Sequence, residues 1–414
     1  MTTTAAIDTA TASDIADLTE GLHDFLQRQV LPLEEQHRAV LDNPRLTYAE
    51  SGAYSSDTVE LFREVRMRSA AAGYYPMFAP ENVGGGGLGA LAQYTVWESL
   101  HHRYGPGRLL PYQSVGHWTS GPSFLLGHLS PALRDTITAE VMSGRASVCF
   151  AMSEPDAGSD AWSMSTSAVR DGDEWVINGS KQWISNSPFA TYAFVFAVTD
   201  QELRRGRRSG VSCFIVPTDT PGYHVDSVIR LFGHIGGNEA ILSFQDVRVS
   251  DEHLVGELHH GFDLALGGIS RGRIYNAGRS VGLARWALER ACEYATTRKA
   301  FGKVISDYQG VTFPLADSAM EIYASKQMSL DCARRIDAGE PALKELSMVK
   351  AYSTEMCFRV FDRCMQVHGG MGLTNEMNLV EGWHQARIVR VADGTGEVMR
   401  RNIASRILKG DLQF

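Results

Sequence analysis

Residues 151–160 read Ala151-Met152-Ser153-Glu154-Pro155-Asp156-Ala157-Gly158-Ser159-Asp160. The run follows an apolar stretch of strand length, Ala146 to Phe150. It combines hydroxyls, turn formers and a proline that fixes φ between two serines. Such a loop can aim several backbone N–H groups outward with no bulky side chain in the way. It predicts a cradle for a planar, carbonyl-rich ring at the end of a strand. A bland surface connection needs neither a serine at each end nor Pro155 between them.

On either side of this loop the hydrophobic period changes. From residue 14 to 145 it is helical: Asp14 is placed to cap a helix carrying Ile15, Leu18, Leu22 and Phe25 on one face. From 146 to 261 the period is two. Asn178-Gly179, flanked by Glu174 to Ile177 and Ser180 to Ser185, predicts a hairpin turn. This zone reads as a small antiparallel barrel or sandwich. From 262 to 414 the helical period returns, with Ala277, Val281, Ala284, Leu288 and Ala291 on one face. Small residues there let helices approach closely, as in a four-helix bundle. Helices are expected at 307–337, 341–368 and 395–409. The fold class is thus α+β and multidomain: an all-α domain, a β domain, then a helical bundle. Residues 1–13, Thr/Ala-rich and without Arg, are expected to be a disordered N-terminus rather than a targeting segment.

Composition excludes several classes. A net charge of −9 argues against nucleic acid as the main partner. The local basic run Arg204, Arg205, Arg207, Arg208 reads as a solvated hairpin tip. Six dispersed cysteines with no C-x-x-C pair read as reduced, buried thiols in a cytoplasmic protein. No metal site is expected, because no His/carboxylate set has ligand spacing. No apolar run approaches the roughly 18 residues that span a bilayer. Gly84 to Gly89 satisfies G-x-G-x-x-G, but the Pro-containing stretch before it does not read as a buried strand, so a flexible loop is the better reading.

Four further segments carry candidate chemistry. Trp183-Ile184-Ser185 places an indole and a hydroxyl two residues apart, on one face of a strand. Arg298 to Gly302 follows a long helix, and Arg298 offers a forked donor suited to a pyrophosphate. Gln366 to Gly372 sets three glycines past an amphipathic helix, which suggests backbone pressed against a partner. Val391-Ala392-Asp393-Gly394-Thr395-Gly396-Glu397 ends in a new helix; read alone, Asp393 is an N-cap.

Taken in order, these five segments resemble the signatures of the acyl-CoA dehydrogenase family, and the resemblance covers nearly the whole chain. It implies FAD as cofactor. The first loop would wrap the flavin through Phe150, Met152, Ser153, Gly158 and Ser159. Trp183, Ile184 and Ser185 match the W-I-[ST] element at the flavin edge. Arg298, Phe301 and Gln309 match R-x-x-F-G…Q, while Gln366, Gly369 and Gly370 match Q-x-x-G-G-x-G; both would hold FAD across a subunit interface. That implies a homodimer or homotetramer. Thr395 and Glu397 match the family's E-G-T-S-E, whose first residue is the catalytic base. Here that residue is Asp393, a carboxylate one methylene shorter, about 1.5 Å. Some branches, the nitroalkane oxidases among them, also use Asp. Others place the base on the first bundle helix, where this chain has Gly272.

Ser159, Ser270 and Arg273 match positions on the CoA arm, with Ser270 replacing a frequent Asp. The implied reaction is α,β-dehydrogenation of an acyl-CoA, with an electron-transfer flavoprotein as acceptor. Alternatives are an acyl-carrier-protein dehydrogenase or a nitroalkane oxidase-like or other flavin oxidase. Tyr94, Trp97, Tyr112, Gln113, His117 and Trp118 are expected near the acyl group and point to a branched, ring-bearing or functionalised chain.

Overall fold

A computed structural model describes residues 11–413, the side chain of Arg271 excepted. The expectation for residues 1–13 lies outside the described residues as far as residue 10. Thr11 opens the first helix, α1 (Ala12–Phe25). Its hydroxyl accepts the Asp14 amide at 3.2 Å, and Asp14 Oδ2 accepts the Thr11 amide at 2.9 Å. Asp14 is therefore the third residue of a reciprocal capping box and not the cap itself.

The main helices that follow are α2 (Ser56–Ala71), α3 (Ala90–Tyr104), α4 (Pro131–Met142), α5 (Gly261–Thr297), α6 (Gln309–Asp337), α7 (Leu343–His368), α8 (Leu379–Val389) and α9 (Gly396–Ile407). Among the described residues no helix is long and apolar enough to cross a membrane. The chain groups into two compact units. One joins the N-terminal segment ending at His23, Leu88–Arg108 and the C-terminal segment from Ile269; the other joins Asp24–Gly87 and Leu109–Gly268.

The second unit holds the sheet. Its strands are β1 (Val148–Ala151), β2 (Ser167–Asp171), β3 (Glu174–Ser185), β4 (Tyr192–Val198), β5 (Val211–Pro217), β6 (Tyr223–Val228), β7 (Glu239–Ser250) and β8 (Leu254–Val255). The order is β6-β7-β3-β2-β4-β5-β8, with β1 on β4. Pairing is antiparallel except at β4, which takes β1 and the first residue of β2, Ser167, in parallel. Ile177, Ile184, Val195, Phe214, Val216, Leu242 and Phe244 form its core.

The hairpin lies elsewhere than expected. The two-residue turn is Gly172-Asp173, closed by the pair Asp171↔Glu174. β3 runs straight through Asn178-Gly179, where the register against β7 shifts. Asn178 exchanges two hydrogen bonds with Asp246, and Gly179 (φ +144) lies so close to Thr166 that a Cβ would sit 2.6 Å from its Oγ1. An Asn-Gly pair serves a bulge as well as it serves a turn. The Arg204–Arg208 run does lie at a hairpin tip, in the connection between antiparallel β4 and β5 closed by the pair Val198↔Val211, with Arg205, Arg207 and Arg208 exposed. Asp200 caps a short helix, Gln201–Arg205, and Arg204 donates to the carbonyls of Trp162 and Met164. Gly85 and Gly86 lie flat against Ala79 and Met77, with turns and no strand before them.

In the first unit α5, α6, α7 and α8 enclose a core of Val281, Ala284, Ala291, Ile322, Met356, Val360, Phe361, Leu379 and Ala386. The helix α8 is additional to those expected; an 11-residue segment carries too few turns for a clear period. α3 crosses α5 at two glycines. A Cβ on Gly278 would lie 2.7 Å from the Tyr94 carbonyl oxygen, and one on Gly282 2.3 Å from that of Glu98. Asp337 of α6 caps α3 by accepting the amides of Ala90 and Leu91 at 2.6 and 2.9 Å. Glu98, buried, accepts from Arg285 and Lys326. Cysteines are all free, five buried and Cys292 exposed.

Because the Gly282 contact is with backbone, relief requires helix displacement. Gly282→Ala is expected to destabilise by about 1–3 kcal/mol. A thermal melt that leaves the midpoint unchanged would contradict this crossing.

Candidate active site

The loop after β1 is built from a small hairpin. Glu154 and Ala157 exchange backbone bonds at 3.1 Å each, leaving Pro155 and Asp156 at an exposed tip. What fixes it lies underneath. Lys181 of β3 is fully buried and donates to Glu154 Oε1 at 2.8 Å and to the Met152 carbonyl at 3.0 Å. Glu154 also accepts from the Ser165 amide and hydroxyl and from the Thr166 amide. Burial alone would raise the Glu154 pKa, but Lys181 and these donors outweigh it and hold the carboxylate at about 2.

Above this anchor the expected flavin residues are disposed as follows. Phe150 packs edge-on to Trp118, and Met152 is buried with its carbonyl committed to Lys181. Ser153 is half-buried; its carbonyl accepts the Gln182 amide, tying loop to strand. Gly158 and Ser159 are exposed, and a Cβ on Gly158 would meet nothing within 4 Å. Trp183 lies within a second bulge of β3, at φ +65, and is 52% exposed. Ile184 turns into the core, and Ser185 is half-buried with its hydroxyl 3.4 Å from Glu239. A strained backbone that keeps a large indole in solvent beside open backbone and hydroxyls fits a planar, polar-edged ring.

In the first unit the segment before α9 carries Asp393. Thr395, not Asp393, is the N-cap: its hydroxyl accepts the Val398 amide at 3.3 Å. Asp393 is thereby released from capping. It sits in the left-handed region, φ +54, half-buried. Asn276 of α5, itself buried, donates to Asp393 Oδ2 at 2.6 Å, and Arg273 Nε donates to the Asp393 carbonyl at 3.4 Å. Lys350 of α7, fully buried, donates to the carbonyls of Arg390 and Gly394. Desolvation raises the Asp393 pKa, opposed by Lys350, the Asn276 bond and Arg273. Desolvation in turn draws Lys350 down to about 8, with Asp393 resisting.

Glu397 is exposed and held low by hydrogen bonds at the helix start. Ser270 lies one turn before Arg273 on α5, half-buried. Tyr94 and Trp97 are core residues: Tyr94 packs with Ile274, Ala277 and Leu346, and Trp97 stands edge-on to Tyr275. Lys181, Asn276 and Lys350 were not among the expected site residues. The only sequence signal for them is a polar side chain on an otherwise apolar face.

The two segments expected to face another subunit are open. Phe301 is 97% exposed at φ +51, on a loop that Tyr308 steadies through the Ala300 carbonyl. Arg298, Gln309, Gln366, Gly369 and Gly370 are exposed, and a Cβ on either glycine meets nothing within 4 Å. His368 is buried, stacked on Tyr294 and bonded to the Cys364 carbonyl, a structural placement.

Residues 149–247 match the family model of the acyl-CoA dehydrogenase middle domain, and residues 259–408 that of the C-terminal domain. A Bacillus subtilis protein named a probable acyl-CoA dehydrogenase is 36% identical over 94% of this chain and 97% of its own. A subunit of the caffeyl-CoA reductase–Etf complex of Acetobacterium woodii is 32% identical over 84% of this chain and 91% of its own. Among solved structures, glutaryl-CoA dehydrogenase from Mycobacterium smegmatis superposes with a TM-score of 0.80 at 25% identity, covering 97% of this chain and 95% of that one.

The buried Lys181–Glu154 pair sets an expected outcome. Glu154 has its folded pKa below its ordinary 4.5, at about 2. The unfolded chain therefore binds the extra proton first, and the contribution of the Glu154 carboxylate is complete above 4.5 and lost as pH falls towards 2, while burial draws Lys181 down to about 8 and ends the ion pair at high pH. Lys181→Met, which strands the carboxylate, is expected to cost about 3–5 kcal/mol in denaturant unfolding. Glu154→Gln should flatten the acid slope over that window. A wild-type slope in Glu154→Gln would contradict the assignment.

Proposed function

The chain belongs to the acyl-CoA dehydrogenase family, and from that premise we propose that Asp393 is the base in its FAD-dependent α,β-dehydrogenation of an acyl-CoA thioester to the 2-enoyl-CoA. FAD, when bound, supplies the acceptor for the β-hydride. Asp393 takes the α-proton. The observation that carries this reading is a carboxylate freed from capping, tied by one oxygen to Asn276 and raised in pKa by its surroundings. Among the described residues its Oδ1 makes no hydrogen bond. Desolvation that raises a carboxylate's pKa makes it a stronger base once substrate displaces the remaining water.

The charge left on the thioester oxygen needs donors. The amides at Thr395 and the start of α9 offer them, aided by the helix N-terminus. Thr395 Oγ accepts the cap bond, while its hydroxyl is engaged with Glu397. Trp183, Ser153, Ser159 and Ser185 supply the ring wall and the donors of the flavin site. Ser159, Ser270 and Arg273 remain the candidates for the CoA arm, Arg273 sharing its guanidinium with the base loop.

An electron-transfer flavoprotein is the acceptor this reading favours; the caffeyl-CoA reductase relative is by name a subunit of an Etf complex. A homodimer or homotetramer is favoured by the open Arg298–Gln309 and Gln366–Gly370 segments. It is favoured too by Phe313, Met320 and Tyr323, each more than half exposed on α6.

Two outcomes test the reading. Anaerobic addition of acyl-CoA should bleach the flavin absorbance, and Asp393→Asn should slow that step roughly 10²–10⁴-fold with FAD retained. Because protonated Asp393 cannot act, the bleaching rate should rise with pH through a midpoint above the ordinary aspartate value of 3.8. Undiminished bleaching in Asp393→Asn would remove Asp393 from the role. Separately, light scattering of the FAD-saturated protein should give a dimer or tetramer; a saturated monomer would contradict the interface assignment.

A further inference from the structure

The environment of Asp393 contains a group the proposed reaction has not used. Asn276 is 3% exposed on α5, among Ile274, Ala277 and Val281. A primary amide on such a face costs free energy unless its hydrogen bonds are made. Its Nδ2 makes one, to Asp393 Oδ2, and at 2.6 Å the bond has the length of a charge-assisted contact. A short aspartate in the left-handed region has little reach of its own, so its carboxylate goes where the backbone and its partners send it.

The backbone is held from two helices. Lys350 of α7 donates to the carbonyls on either side of the residue, at Arg390 and Gly394, and Arg273 of α5 donates to its own carbonyl. Asn276 is the one neutral donor among these, and it alone bonds the carboxylate.

We propose that Asn276 is a positioning residue for the base: it holds Oδ2 of Asp393, sets the rotamer, and leaves Oδ1 as the oxygen that receives the substrate proton. This rests on the reading of Asp393 as the base. The division of labour follows from the donor types. Lys350 and Arg273 fix the main chain and supply charge at a distance, but neither makes a hydrogen bond to the carboxylate. A carboxylate held at one oxygen by an amide N–H is favoured in its ionised form. That opposes the desolvation which raises its pKa. The charged groups bearing on the loop are Lys350 and Arg273 against Asp393, with Glu355 and Glu397 acting on Lys350. Removing Asn276 leaves those charges in place, so its own effect is separable.

The test is the pH profile of anaerobic flavin bleaching by acyl-CoA in the FAD-loaded oligomer. Asn276→Ala and the isosteric Asn276→Asp are compared with wild type and Asp393→Asn. In Asn276→Ala the limiting rate should fall at least tenfold and the acid limb should move to higher pH, with FAD content and acyl-CoA Kd within about twofold of wild type. Asn276→Asp, which sets a second carboxylate beside the first, should move the limb further.

A readout independent of turnover is the pH-difference infrared band of the protonated Asp393 carboxyl, identified by its loss in Asp393→Asn. Its midpoint should shift upward in both variants. An unmoved limb and unmoved band would overturn the proposal, whether or not the melting temperature falls. If Asp393→Asn abolishes bleaching while Asn276→Ala behaves as wild type, only the positioning role fails. If Asp393→Asn bleaches normally, the base assignment fails and the positioning role fails with it.

Discussion

The buried ammonium of Lys181 is the contact on which the sheet-side site depends. It has no exposure, and its partners are a carboxylate and a main-chain carbonyl of the same loop. A buried charge of this kind is tolerated only when it is paired and hydrogen-bonded. The loop therefore cannot shift without stranding Lys181, and the Glu154–Ala157 hairpin above it inherits that rigidity. Rigidity is what an open cradle needs: Gly158, Ser159 and Trp183 project outward and have little of their own to lean on. The strain at Trp183 persists because β3 is fixed on both sides, by Lys181 two residues earlier and by the buried Ile184 one residue later.

The helical unit solves the same problem in the same way. Lys350 is another fully buried lysine, and it also addresses main-chain carbonyls of an irregular segment that carries site residues. The two differ in their counter-charge. Lys181 has Glu154 in direct contact, whereas Lys350 has no hydrogen-bonded carboxylate and faces Asp393 through space. A fully neutralised Lys350 would do nothing for Asp393. An uncommitted one lends its field to Asp393 and limits how far burial can raise its pKa.

How much of this was legible in the sequence depends on whether a residue's role is local. The helices expected at 307–337, 341–368 and 395–409 were legible because their period is carried within a few residues. Asn178-Gly179 misled, since its preference for positive φ suits a bulge and a turn alike, and the choice was made by Asp246 on β7. Asp393 as an N-cap misled for a related reason. Two residues later Thr395 offers an equally good cap, and the helix start chose it. Lys181, Asn276 and Lys350 were illegible because each acts on a partner more than 25 residues away in sequence, and a polar residue on an apolar face does not say which partner it serves.

On the proposed reading of Asp393 as the base, its short side chain is matched to these constraints. A shorter side chain moves the carboxylate back towards its own backbone, so the backbone must come forward and stay there. The left-handed φ of Asp393 and the glycine that follows it bring the segment round in a tight turn. Three donors from Lys350 and Arg273 then fix the main chain on both sides of that turn. With the main chain fixed, only the two short side-chain torsions decide where the carboxylate points, and the Asn276 amide bonds one of its oxygens. Side-chain length, backbone conformation and the amide on α5 thus form one linked set, and under the proposed role of Asp393 changing any member alone would misplace its carboxylate.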